Sequence, residues 1–327
     1  MILVVGGAGY IGSHLVKELV EQKAVIVLDN LSTGREDSID NRVRFVKGDL
    51  GDILTLDQLF SEYPIEAVMH FAANSLVGES VQDPYKYYNN NVSNTLTLLN
   101  AMLKHGVKNF IFSSTAATYG IPETDLITEE TSTNPINPYG RSKLMIEQIL
   151  EDFHQAYGIN YIVLRYFNAA GAHVSGEIGE SHEPETHLIP IVLENLLGQR
   201  ENISVFGTDY DTHDGTCIRD YIHVTDLANA HILSLNALLE KKMQTATYNL
   251  GNGKGYSVKE IIDTCEKVTG IKANAVITDR RPGDPATLVA SSERIYHDLG
   301  WKTEYELEDI IDSAWKWHKR ILEDSSN

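Results

Sequence analysis

The strongest constraint on this chain is the character of its short apolar runs. Ile2–Val5, Ala24–Asp29, Val43–Val46, Ala67–Phe71, Asn109–Ser113 and Tyr161–Leu164 are nearly continuous in apolar residues rather than alternating. A strand that is apolar on both faces must be covered on both, which is the condition of a parallel sheet between helical layers. Amphipathic stretches such as Ser13–Glu21, Asn91–His105 and Gly140–Tyr157 lie between the runs and read as those helices. The alternation predicts an α/β fold with a doubly wound parallel sheet and right-handed crossovers. After Phe167 the texture changes, with Gly, His, Glu and Pro scattered from Ala169 to Pro190. A nucleotide-binding domain is expected over 1–166 and a smaller α/β substrate-binding domain over 167–327. The segments Tyr221–Leu239 and Thr247–Gly251 are expected to return to the first.

Gly6, Gly9 and Gly12 form a Gly-x-x-Gly-x-x-Gly pattern directly after the first run and at the start of the first helix. Glycines here permit a tight turn and a close approach of backbone to a pyrophosphate, whose charge sits at the positive end of the helix. By itself the pattern is also what a glycine-rich strand-to-helix turn gives. Asp29 ends the second strand 17 residues beyond Gly12 and is followed by Asn30, Leu31 and Ser32, with no base. A carboxylate there accepts from ribose hydroxyls and repels a 2′-phosphate, so the reading is a Rossmann-type site for NAD rather than NADP. Asp49, after the third strand, is placed either to reach the adenine amino group or to cap a turn.

Tyr139 and Lys143 stand four residues apart behind Pro138, so they share one face of a helix. An ammonium beside a phenol favours phenolate, lowering a pKa that is ordinarily about 10 and making a general base. A surface helix pair gives the same spacing. Thr115, in Ser-Ser-Thr-Ala-Ala-Thr-Tyr-Gly at the C-terminal end of the fifth strand, is where open α/β sheets bind ligands, and its hydroxyl can bridge substrate and Tyr139. Ordinary strand-end hydrogen bonding accounts for Ser113 and Thr118.

The motifs Gly-Gly-Ala-Gly-Tyr-Ile-Gly-Ser-His, His-Phe-Ala-Ala, Phe-Ser-Ser-Thr-Ala-Ala-Thr-Tyr-Gly, Asn-Pro-Tyr-Gly-Arg-Ser-Lys, Arg-Tyr-Phe-Asn-Ala-Ala-Gly-Ala, Arg-Asp-Tyr-Ile-His-Val and Arg-Arg-Pro-Gly-Asp-Pro-Ala follow in order from residue 6 to residue 286. In this set the chain resembles the UDP-glucose 4-epimerases of the extended short-chain dehydrogenase/reductase group. The resemblance implies that NAD takes hydride from C4 of a UDP-sugar and returns it to the other face of the 4-keto sugar. It makes Tyr139 the base, Lys143 its tuner and the holder of the nicotinamide ribose, and Thr115 the residue that relays or positions the proton. For the cofactor it implies Gly6, Gly9, Tyr10, Ile11, Gly12, Asp29, Asn30, Asp49, Leu50, Phe71, Ala72, Asn91, Lys143 and Tyr166. For the substrate it implies Thr115 and Tyr139 at the sugar, Asn168, Arg219 and Arg281 at the diphosphate, Asp284 at a ribose hydroxyl, and Leu188 and Phe206 at uracil. His187 stands where some relatives carry asparagine. A homodimer through the helices Asn91–His105 and Gly140–Tyr157 is implied as well.

Ala116 and Ala117 occupy the two positions where nucleotide-sugar 4,6-dehydratases carry Asp-Glu, so the acid/base pair for elimination is missing. Epimerases of other UDP-sugars (N-acetylhexosamine, pentose or glucuronate) remain alternatives, with Leu288 near a gatekeeper position. A non-catalytic NAD-binding protein is the alternative from another class. The net charge of −19 excludes a basic nucleic-acid-binding surface and requires arginines placed locally around any anionic ligand. Cys217 and Cys265 are far apart, and the glycine motif begins at once after the first strand. A reducing, cytoplasmic setting without membrane association is therefore expected. His182, Glu183, Glu185 and His187 match no zinc spacing, so a solvated loop and no metal are expected. The terminal Glu-Asp-Ser-Ser-Asn is expected to fray.

Overall fold

A computed structural model describes residues 1–281 and 284–325. Pro282 and Gly283 of the last motif, and Ser326 and Asn327 of the tail, lie outside the described residues. The chain runs β1 (Ile2–Val5), α1 (Tyr10–Leu19), β2 (Val25–Asp29), β3 (Arg44–Lys47), α2 (Ile53–Glu62), β4 (Ala67–His70), α3 (Val77–Gln82), α4 (Pro84–Tyr87) and α5 (Asn94–Lys104). There follow β5 (Asn109–Thr115), β6 (Leu126–Ile127), α6 (Pro138–Tyr157), β7 (Asn160–Tyr166), β8 (Asn168–Ala170), α7 (Leu188–Leu196) and β9 (Ile203–Phe206). The last part contains β10 (Ile218–Arg219), β11 (Tyr221–His223), α8 (Val224–Leu239), β12 (Thr245–Leu250), β13 (Tyr256–Ser257) and α9 (Val258–Thr269). It ends with β14 (Ala275–Thr278), β15 (Thr287–Ala290), α10 (Glu293–Leu299) and α11 (Leu307–Ser325).

A seven-stranded sheet in the order β12-β7-β5-β4-β1-β2-β3 forms the centre, and every pair in it is parallel. This is the Rossmann-type doubly wound sheet that the apolar runs predict, with strand ends within two residues of those runs. Leu3, Val4, Val5, Ile26 and Val27 have no exposed surface. Each such side chain contributes about 1.5–3 kcal/mol by leaving water. One face packs on α1 and α8 around Leu15, Leu19, Leu227 and Leu235, the other on α2, α5 and α6 around Leu56, Leu98, Met102 and Ile146. The strand order reverses between β1 and β4, which opens a crevice at their C-terminal ends.

Beyond residue 166, β12 and α8 belong to this central layer, while β6, from before it, pairs with β15. The remaining elements build a four-stranded sheet β13-β10-β15-β6, the pairs β11-β8 and β14-β9, and a third core in which α7, α9 and α11 meet. The expected continuous helix Asn91–His105 is divided. Tyr88–Ser93 forms a π-helical turn and only Asn94–Lys104 is α-helical. The widening accompanies Asn91, whose side chain faces inward to bond Asn74 and Ser142 rather than lining a surface.

Candidate active site

The crevice begins at the β1–α1 turn. Gly6 has φ +78°, and a Cβ there would lie 2.5 Å from the Ala72 nitrogen; a Cβ on Gly12 would lie 2.2 Å from the Gly6 oxygen. Only glycine lets β1, α1 and the end of β4 meet this closely. Gly9 at the N-cap supplies no side-chain acceptor, and the first turn of α1 has no acidic residue. Its free N–H groups and positive end therefore suit a pyrophosphate. Gly6, Gly9, Asp29, Asn30, Asp49, Leu50, Phe71 and Ala72 line one cavity here, and Gly6, Gly9 and Phe71 recur, with Tyr10, Ile11 and Gly12, in a second cleft that leads on.

Asp29 is held by the Ala8 N–H at 2.9 Å and the Leu31 N–H at 2.8 Å, which fixes the carboxylate in the cavity wall. Leu31 itself sits at φ +60°, a conformation a branched side chain adopts only under such constraint. Asp49 both lines the cavity and caps a turn, since it accepts from Gly51 N–H and from Asn30 Nδ2, each at 2.8 Å. Arg35, the nearest arginine in sequence, is paired with Asp37. An adenosine ribose with free hydroxyls fits this wall, and the donor set fits NAD.

Asn91 does not join the wall. It is 2 % exposed and spends its amide on the Asn74 backbone and the Ser142 hydroxyl. The wall residues are instead Asn74 and Asn90, which the sequence pattern did not single out.

Thr115, Tyr139, Lys143 and Tyr166 meet in the second cleft. Asn137 caps α6 by accepting from the Gly140 N–H at 2.8 Å, and Pro138 opens the helix. A Cβ on Gly140 would lie 2.5 Å from the Ala117 oxygen, so this glycine lets α6 close on the turn after β5. That closure brings Tyr139 beside Thr115 in one cleft wall. Burial raises the Tyr139 phenol above its ordinary value and the Thr115 side chain opposes the rise. The lowering expected from Lys143 is not seen at the phenol, where burial dominates; the ammonium donates instead to the Ser113 carbonyl at 2.7 Å. Burial lowers Lys143 to about 7, with the Glu147 carboxylate opposing. Tyr166 lines the same cleft, and burial raises its phenol too.

A third cleft is lined by Asn168, His187, Leu188, Phe206, Arg219, Arg281 and Asp284. Asn168, His187 and Arg219 also line the Tyr139 cleft, so the two are continuous. Three arginines, Arg200, Arg219 and Arg281, thus line the cleft of a strongly acidic chain, and guanidinium forks suit a diphosphate. Arg219 pairs with Asp284 at 2.6 Å, and Arg281 lies over the Phe206 ring, 3.8 Å from its centroid. Leu288 lines the Tyr139 cleft.

The segment holding His182, Glu185 and His187 is solvated in part, with Glu183, Pro184, Thr186 and His187 exposed, but the carboxylates of Glu180 and Glu185 are not. Glu180 and Glu185 are 5 % and 4 % exposed at their side chains, with His182 Nδ1 and His187 Nδ1 beside them. Burial alone would lower the histidines, but the two carboxylates raise His182 to about 9 and His187 to about 10. Glu180 was missed because no local pattern marks it; Glu183 is exposed.

With this geometry in place, comparison with known proteins is direct. Residues 2–251 match the NAD dependent epimerase/dehydratase family. The chain is 56 % identical over 320 residues to the UDP-glucose 4-epimerase of Halalkalibacterium halodurans, covering 97 % of this chain and 95 % of that one. It resembles a crystal structure of a UDP-glucose 4-epimerase with TM-score 0.96 and 55 % identity, covering 98 % of this chain and 97 % of the other. It also resembles the UDP-glucose 4-epimerase of Brucella ovis solved in complex with NAD, with TM-score 0.93, 47 % identity and coverage of 96 % and 97 %. Fold, glycine turn and family match agree along the length of the molecule: the chain belongs to the UDP-glucose 4-epimerases of the NAD dependent epimerase/dehydratase family.

Proposed function

We propose that the chain interconverts UDP-glucose and UDP-galactose by NAD-dependent epimerisation at C4. The observation that carries this reading is the meeting of Thr115, Tyr139 and Lys143 in a cleft bounded by the glycine turn on one side and by Asn168 and Arg219 on the other. NAD, when bound, supplies a hydride acceptor and then donor. Tyr139 takes the C4 hydroxyl proton, and the Thr115 side chain beside it favours the phenolate. Lys143 places a buried positive charge on the same helix face, latched to β5. Asn168, Arg219 and Arg281 hold the diphosphate, and Asp284 pre-orients the Arg219 fork while offering an acceptor to ribose. Leu188 and Phe206 flank uracil, and His187 reaches the sugar side of the cleft. Firm anchoring of the nucleotide leaves the keto sugar free to present its other face.

We assign cofactor binding to 1–166 together with the returning segments near 221–251, and nucleotide-sugar binding to the rest of 167–327. Asn91 serves the cofactor side by holding Asn74. Ala116 and Ala117 leave no acid/base pair for dehydration at this strand end. A cytoplasmic homodimer in galactose metabolism accords with the reading; no helix among the described residues is long and apolar enough to cross a membrane. The test is incubation of the purified chain with UDP-galactose while the anomeric protons are followed by NMR, without and then with added NAD. UDP-glucose should appear up to a fixed ratio. Conversion only of UDP-N-acetylgalactosamine, UDP-xylose or UDP-glucuronate would move the substrate, and no conversion of any would overturn the reading.

A further inference from the structure

Between β8 and α7 the chain buries two carboxylates against two imidazoles. One ligand atom from each of Glu180, His182, Glu185 and His187 lies within 4.8 Å of all the others. His182 Nδ1 stands 3.2 Å from Glu180 and 3.7 Å from Glu185, and His187 Nδ1 stands 2.7 Å and 3.2 Å from the same pair. A tetrahedron with metal bonds of about 2.0–2.2 Å has edges of about 3.3–3.6 Å, so small shifts seat one ion among these four atoms. Pairwise ion pairs alone would leave each buried atom matched. Yet His182 Nδ1 is buried without a well-formed hydrogen bond.

We propose that Glu180, His182, Glu185 and His187 bind one Zn²⁺ ion that fastens this segment to the wall of the substrate cleft. Two nitrogen and two carboxylate ligands in a tetrahedral arrangement suit Zn²⁺, and a dication offsets two buried carboxylates without requiring both imidazoles to be charged. The Glu180 carbonyl is anchored by Trp317 Nε1 at 2.8 Å, and the His182 ring stands edge-on to Tyr10, so the site ties α11 and the start of α1 to the start of α7. His187 is the N-cap residue of α7 and lines both substrate clefts. Metal at its Nδ1 leaves a proton fixed on Nε2, turning the ring into an oriented donor. The ion is thus a positioning element and the reacting trio stays Thr115, Tyr139 and Lys143.

The test is metal analysis of the untagged full-length chain purified without chelator, followed by Zn²⁺ and Co²⁺ titration after chelation. About one zinc per chain, and cobalt spectra of a tetrahedral site, are expected. His182→Ala and Glu185→Gln should each weaken uptake at least about tenfold while circular dichroism stays native. Zn²⁺ should also raise the melting temperature of the chelated wild type and leave that of His182→Ala unchanged. Sub-stoichiometric uptake by the wild type, or equal uptake by the two variants, would overturn the site. If the variants misfold, the wild-type stoichiometry and cobalt spectrum still decide it. None of these readouts depends on turnover, so they stand apart from the epimerase assay.

Discussion

The Lys143 ammonium donates to the Ser113 carbonyl at 2.7 Å, two residues before Thr115. The helix that carries Tyr139 is thereby latched, through a buried charge, to the strand that carries Thr115. Lys143 is 3 % exposed, and burial lowers its pKa to about 7. Such a group costs folding energy where it is charged, and its presence is explained by what it does to its neighbours.

Replacing this charge should therefore separate folding from turnover. Lys143→Met removes a desolvated ammonium, so thermal stability should hold or rise while kcat falls at least about 10²-fold. Tyr139→Phe should keep fold and NAD binding and lose turnover by about 10²–10⁴-fold. Differential scanning fluorimetry beside the NMR assay measures both. A near-normal rate in the phenylalanine variant would remove Tyr139 from the role of base.

Gly140 should be as sensitive as the residues it places. In Gly140→Ala the new Cβ meets the Ala117 oxygen at 2.5 Å, so α6 must move off the turn after β5. Displacing Tyr139 from Thr115 should lower kcat about 10²-fold with a smaller effect on KM. A steady-state comparison checks this, and unchanged kcat would mean the turn yields without disturbing the pair.

The sheet and the glycine turn were legible because their signals are local: Ile2–Val5 is apolar throughout and Gly6 follows it at once. Tyr139 and Lys143 were legible for the same reason, through helical spacing. Asn91 bonds Asn74 and Ser142, which lie 17 and 51 residues away, a placement that local spacing does not encode. The pairing of β6 with β15 joins a two-residue strand at Leu126 to Val289, too short to carry a period. The order of Tyr139 and Lys143 on the helix gave their shared face, but the Ser113 latch and the dominance of burial at the phenol depend on depth, which spacing does not encode.

Behind the trio lies a buried ion pair that should be stabilising only as a pair. Glu147 accepts from Arg165 Nε at 3.1 Å and from Ser114, and Arg165 Nη1 donates to Tyr119 at 2.9 Å. The side chains are 8 % and 9 % exposed. Arg165→Met or Glu147→Gln alone should cost about 3–5 kcal/mol by leaving the partner poorly compensated. The double variant should recover much of that loss. Urea unfolding of the three variants measures it, and additive losses would deny the coupling.

The exposed face of α5 and α6 leads to a prediction of assembly. Leu96, Met145 and Tyr157 are 37 %, 41 % and 53 % exposed on these two helices. Covering them against a second copy gives a four-helix contact, so light scattering at micromolar concentration should return twice the chain mass. Met145→Glu should shift the mass toward monomer, and a wild-type monomer would contradict the dimer directly.

Four of the buried histidines should weaken folding in acid. His14, His70, His223 and His231 are at most 1 % exposed. Burial, the largest cause in each, lowers them from 6.5 to about 3, 3, 4 and 4. Between pH 6.5 and 4 the unfolded chain binds more protons at these sites than the folded one, so they lower stability as pH falls through that window. Each can contribute a slope of up to about 1.4 kcal/mol per pH unit. Urea midpoints measured from about pH 7 to about pH 4.5 should therefore fall, and fall less steeply in His70→Leu, which deletes one of the four. An identical slope in that variant would mean that His70 is already protonated in the folded chain, against a ring whose Nε2 is 2.9 Å from the buried Thr95 hydroxyl.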